Sequence, residues 1–147
     1  MPPAKGLVTT LFTLVLLFSA EAMAQQDPRS ALETVQAAIE RGDVDSIVDQ
    51  ASEQIEIAVF GSSKLYSKTQ ARYILTDFFA EYPPRGFRFE DPSTTSRGLF
   101  VEGAYRHAGG DAPLRIYVQL RRVDSEWLLR ELLIEEPPRQ QRGSRRG

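Results

Sequence analysis

A carboxylate and a phenol one helical turn apart can do proton-transfer chemistry, and Tyr73 and Asp77 stand four residues apart in a stretch of helical periodicity. Beside Phe78 and Phe79, an Asp77 carboxyl pushed upward by apolar surroundings would serve as a general base, with Tyr105 as a second acid–base candidate. The plainer reading leaves Asp77 solvated at the border of a buried stripe formed by Ala71, Ile74, Leu75 and Phe78. His107, the single histidine, ends a strand-like run just before Ala108-Gly109-Gly110. A lone imidazole can take a proton near neutral pH. Without a second histidine, a cysteine or matched carboxylates it makes no metal site, and a solvated strand end is the simpler expectation. No metal and no cofactor is implied.

Two groups of residues suggest binding instead of chemistry. Tyr73, Phe78, Tyr105, Tyr117 and Trp127 are amphipathic or aromatic side chains that would line a pocket for a small apolar ligand, or else serve as ordinary core. Arg115, Tyr117 and Gln119 alternate with Ile116 and Val118, so they share one strand face. With Arg121, Arg122, Glu102 and Glu131 they form a charged sheet surface, either wet or the centre of a homodimer interface.

These residues need elements to hold them. Asp27-Pro28 reads as an N-cap and first helical residue, and Leu32, Val35, Ala38 and Ile39 keep helical spacing up to Gly42. Asp43 caps a second, short helix through Val44, Ile47 and Val48. Ile55, Ile57 and Val59 then alternate as a strand, and Gly61-Ser62-Ser63 turns the chain. Lys64 to Tyr66 supplies a further strand if it pairs. Ser67 and Gln70 form a capping-box pattern for a longer helix that Pro83-Pro84 must end. Beyond it the period becomes two, and four strands are expected around Phe87/Phe89, Leu99/Val101/Tyr105, Ile116/Val118/Leu120 and Leu129/Leu132/Ile134. The turn-rich segments Ser93 to Gly98, Ala108 to Pro113 and Asp124-Ser125 fit a meandering antiparallel sheet, and Arg130-Glu131 breaks the last alternation as a bulge would. The expected class is α+β, helices on one face of a curved antiparallel sheet.

The chain has 147 residues, 41% of them hydrophobic, with no cysteine and a net charge of -2, so neither a disulfide scaffold nor a nucleic-acid binder is indicated. Lys5 precedes an apolar run to Ala20, and Ala22-Met23-Ala24 then presents small residues before Gln25. This pattern predicts a signal peptide over residues 1–24, cleaved between Ala24 and Gln25, and a periplasmic or secreted protein. The run from Leu7 to Phe18 is only 12 residues, too short to span a membrane. Residues 27–56 carry eight acids against Arg29 and Arg41. Residues 137–147 hold four arginines and no acid, which predicts a disordered tail able to touch anionic surfaces weakly. The globular domain is expected over residues 28–136.

Tyr66-Ser67-Lys68-Thr69-Gln70-Ala71, Asp77-Phe78-Phe79, Tyr82-Pro83-Pro84, Gly98 to Tyr105, Leu114-Arg115-Ile116-Tyr117 and Leu132 to Glu136 together resemble the DUF4783 domain. That small exported family is similar to the nuclear transport factor 2 and ketosteroid isomerase (NTF2-like) superfamily, and the likeness covers about Ala31 to Glu136. The resemblance implies a cone in which a curved sheet wraps a long helix, with two further helices N-terminal to it. It also implies pairing of copies through the sheet face, and it carries over no catalytic residue. The expected function is non-enzymatic binding of a small apolar ligand or a protein partner in the cell envelope. The alternatives are a cone-pocket isomerase or hydrolase using Asp77 or Tyr105, and a homodimeric interaction module.

Overall fold

The computed structural model of the protein describes residues 26–137. The leader expected at 1–24 and residues 138–147 of the expected tail lie outside the described residues.

Local capping sets the helices. Asp27 accepts the Arg29 N–H at 3.0 Å at the start of α1 (Pro28–Arg41), and Gly42 ends it in the left-handed conformation at φ 66°. Asp43 caps α2 (Val44–Asp49) by accepting the Ser46 N–H at 3.1 Å and the Ser46 hydroxyl at 2.7 Å. Ser67 and Gln70 form the reciprocal capping box of α3 (Lys68–Glu81), and the helix stops ahead of the two prolines.

The strands are β1 (Ala51–Val59), β2 (Lys64–Ser67), β3 (Pro84–Phe89), β4 (Ser93–Thr95), β5 (Gly98–His107), β6 (Leu114–Val123) and β7 (Glu126–Glu135). They form one seven-stranded sheet in the order β2-β1-β7-β6-β5-β3, with β4 on β5. The Lys64 strand does pair, antiparallel to β1. The bulge falls as expected: Gln119 faces Glu131 while Leu120 faces Leu129, so Arg130 is the extra residue.

Two expectations are corrected. Ser93–Thr95, expected as part of a turn, is a short strand folded back onto Gly98 to Phe100. The sheet is mixed, because β1 runs parallel to β7. Tight turns force neighbours in sequence to be antiparallel, but no turn joins β1 to β7, so their relative direction is left to packing.

Inward residues alternate along β5 and β6, and along β7 on either side of the bulge: Leu99, Val101 and Tyr105, then Leu114, Ile116, Val118 and Leu120, then Leu129, Leu132 and Ile134 are all buried. Against this face α1 lays Ala31, Leu32, Val35, Ala38 and Ile39, and α3 lays Ala71, Leu75 and Phe78. The result is the curved-sheet α+β architecture, open and not closed into a barrel.

Gly98 opens β5 at φ 135°, where a Cβ would stand 2.2 Å from the Leu120 carbonyl oxygen. Gly109 also has positive φ, 88°, but no heavy atom lies within 4 Å of its missing Cβ. Gly98→Ala should therefore lose about 3 kcal/mol or more from strain and strand displacement, and Gly109→Ala about 1–2 kcal/mol from backbone conformation alone. Urea unfolding of both variants checks the order; equal losses would discard the close approach as the cause.

Candidate functional site

The five expected pocket residues do not converge. Phe78 and Tyr105 meet in the interior, ring centroids 5.6 Å apart. Tyr105 is wholly buried, packs on Phe79 and Phe87 as well, and donates its hydroxyl proton to the Tyr82 carbonyl. Burial pushes its phenol pKa up, so it stays neutral. Tyr73 is 71% exposed on the outer side of α3, and Asp77 one turn later is exposed too. These two share a solvent-facing stripe and no pocket wall with Tyr105. Trp127 pairs with Arg122 at the far end of β6, whereas Tyr105 pairs with Leu114 at its start; at ~3.3 Å per residue the two lie roughly 26 Å apart. Tyr117 alternates with buried Ile116 and Val118 and so points away from the helices. The aromatic interior is thus packed, and none of Tyr73, Phe78, Tyr105 and Trp127 borders the hollows described below.

His107 corrects the expectation of a solvated strand end. Its ring is half-buried, edge-on to Tyr82 at 5.1 Å and stacked with Tyr105 at 6.4 Å. Its Nδ1 lies 3.1 Å from the Ala108 carbonyl oxygen. A Cβ at Gly110 would stand 2.3 Å from the imidazole, so any side chain there would have to displace the His107 ring.

The opposite face of β5, β6 and β7 carries the organised site. Phe100, Tyr117 and Leu133 floor a groove of about 520 Å³, and the segment after β3 overhangs it with Glu90 and Asp91. The Glu90 N–H donates to the Glu102 carbonyl at 2.8 Å, which fixes that segment to β5. Glu102, Glu131 and Glu135 complete the rim, five carboxylates in all. Arg115 reaches Glu90 at 2.9 Å and Glu102 at 2.7 Å and is only 22% exposed. Hydrogen bonding to Arg115 holds the Glu102 carboxyl below the usual carboxylate range, and the two carboxylates raise the Arg115 pKa in turn. Glu131 behaves oppositely. Burial raises its pKa, and the carboxylate of Glu56, its pairing partner on β1, adds to this. Gln119 donates to the Arg97 carbonyl at 3.4 Å, so of the expected interface residues Arg115 and Gln119 are engaged within the fold and Tyr117 is presented.

A second hollow of about 690 Å³ lies beside the start of β1. Asp49, Glu53 and Glu126 there stand against Lys68 and Arg130, so all but one of its negative charges is offset and its preference for a cation is weaker than the groove's. Among the described residues there is no cluster of three potential metal-ligating side chains.

Glu90, Asp91, Phe100, Leu133 and Glu135 were not singled out from sequence. Phe100 and Leu133 did carry a signal: Leu99-Phe100-Val101 and Leu132-Leu133-Ile134 are unbroken apolar triplets, which puts a hydrophobe on the outer face of a strand whose inner face is already apolar. Glu90 and Asp91 carried none, because only the path of the chain after β3 brings them over the sheet.

A family model described as a domain of unknown function, DUF4783, matches residues 32–135. The chain belongs to the DUF4783 family. Crystal structures of two members share the fold: one from Bacteroides uniformis (TM-score 0.66, 18% identity, covering 71% of this chain and 95% of that one) and one from Bacteroides ovatus (TM-score 0.65, 19%, 71% and 93%). A protein of the NTF2-like family from Streptomyces avermitilis is similar more distantly, with TM-score 0.53, 15% identity and coverage of 74% and 92%. No curated protein matches in sequence. Membership in DUF4783 and the NTF2-like fold agree with the sequence resemblance, and neither names an activity.

The two groove carboxylates should titrate with opposite effect on stability. Glu102, lowered in the folded state, stabilises above its unfolded pKa, and that contribution is lost as pH falls through its folded value. Glu131, raised in the folded state, opposes folding while ionised, and the penalty is relieved as pH falls through its folded value. At pH 7, Glu102→Gln should lower Tm and Glu131→Gln should leave it equal or higher, with both differences shrinking toward about pH 3. A Glu131→Gln variant less stable than the parent at pH 7 overturns the assignment.

Proposed function

We propose that this DUF4783 protein is an exported, non-enzymatic binding module whose working surface is the outer sheet groove, and that its partner is a cationic segment of another protein. The observation that carries this reading is an apolar floor of Phe100, Tyr117 and Leu133 inside a rim of five carboxylates, of which, among the described residues, Arg115 bridges two and the other three have no salt bridge. Such a surface suits a chain bearing arginine or lysine with interspersed apolar side chains. A small apolar ligand is a poorer fit, because the helix-facing interior is filled by Tyr105 and its neighbours. Pairing of two copies about a two-fold axis through the groove would set carboxylate against carboxylate, so a cationic partner is favoured over a second copy. Catalysis lacks support, since Asp77 is exposed on the outer side of α3 whereas Tyr105 is wholly buried in the interior.

A fluorescein-labelled hexa-arginine peptide is a direct probe. It should bind the purified protein, weaken as salt rises from about 50 to about 200 mM, and lose about fivefold or more in affinity when Glu131→Gln and Glu135→Gln are combined. Hexa-glutamate should not bind. Unchanged affinity in the double variant, or equal binding of the acidic peptide, would remove the groove as the working face.

A further inference from the structure

Beyond β7 the chain itself continues into a segment with the chemistry this groove selects. We infer that residues 138–147 seat in the acidic groove of their own molecule, so that the protein carries a competitor for its own partner. The inference rests on the groove being the working face and adds an intramolecular, autoinhibitory occupant.

Three observations favour this occupant. The first is continuity: Glu135, the last residue of β7, is part of the groove wall, and only Glu136 and Pro137 separate it from the segment. The second is reach. Ten residues extend up to about 33 Å, whereas the groove crosses from β7 to β5, two strand spacings or about 10 Å. The third is charge. Residues 138–147 contain Arg139, Arg142, Arg145 and Arg146 and no acid, against five rim carboxylates of which Arg115 contacts two. Glu131, half-buried beside Glu56, is a carboxylate without a cationic partner among the described residues, and a guanidinium there would offset both the cost of burying its charge and the repulsion. Guanidinium groups also stack on aromatic faces, and Tyr117 supplies one in the floor. A tether of this length holds its segment near the groove at an effective concentration of order mM, so weak individual contacts suffice for occupancy.

The chain has no cysteine, so Ser144→Cys accepts a single nitroxide label. At low salt the label should broaden the backbone amide signals of Phe100, Tyr117 and Leu133, and about 0.5 M salt should restore them. Absence of broadening, or broadening centred on another surface, overturns the inference. So does broadening that persists when labelled, unenriched protein is mixed with unlabelled, isotopically enriched protein, because a second copy is then the source. In parallel, replacing Arg139, Arg142, Arg145 and Arg146 by Gln should tighten hexa-arginine binding by about threefold or more, as a tethered competitor is removed. Equal binding to both forms overturns the tail's role and leaves the groove standing. Failure of hexa-arginine to bind either form removes the groove as a partner site, and with it the inferred competition.

Discussion

The parallel pairing of β1 with β7 holds the two halves of the molecule together. The helices α1, α2 and α3 and the hairpin of β1 and β2 come from the N-terminal half, and the sheet of β3 to β7 from the C-terminal half. In the sheet they meet where Ala51 pairs with Leu129 and, past an irregularity, where Glu56, Ile57, Ala58 and Val59 lie beside Glu131, Leu132, Leu133 and Ile134. Backbone bonds at both ends close the seam, Leu129 N–H to the Gln50 carbonyl at 2.8 Å and Phe60 N–H to the Ile134 carbonyl at 2.9 Å. More than half of the described chain lies between the paired residues, yet loop-closure entropy grows only slowly with length. The apolar faces that this pairing brings together outweigh the closure.

Because β7 is interior to the sheet, its two faces have separate roles. One face contributes Leu129, Leu132 and Ile134 to a core completed by α1 and α3. The other contributes Glu131, Leu133 and Glu135 to the groove. The bulge at Arg130 makes both roles possible, since it restores the alternation after Leu129 and keeps Leu132 inward. The cone of this fold is a place where other proteins can hold a cavity, but here Tyr105, Phe78, Phe79 and Phe87 occupy the space. Function is therefore sought on the outside of the sheet, where side chains are free of the core's packing demands.

The groove's electrostatics follow from how few cations the fold supplies to it. Arg115 satisfies Glu90 and Glu102 through a short two-sided bridge and is largely withdrawn from solvent. Glu131 has a carboxylate opposite it on β1, and burial and repulsion act on it in the same direction. A surface arranged this way retains unspent attraction for a cation, more than the hollow near Ser52, where Lys68 and Arg130 offset two of three carboxylates.

Capping and periodicity determined much of this protein by themselves. Asp27-Pro28, Gly42, the Ser67 and Gln70 box and Pro83-Pro84 set the helix limits through local hydrogen bonds, and alternation in β5, β6 and β7 assigned their buried residues, bulge included. These are interactions among residues within a few positions of one another, so they can be read along the chain. Only the tertiary structure decided that β1 runs parallel to β7, that Tyr105 and Trp127 stand at opposite ends of β6, and that Glu90 and Asp91 overhang Tyr117. Those outcomes depend on which distant apolar surfaces bury one another best, a property of the packed chain as a whole and of no local pattern in it.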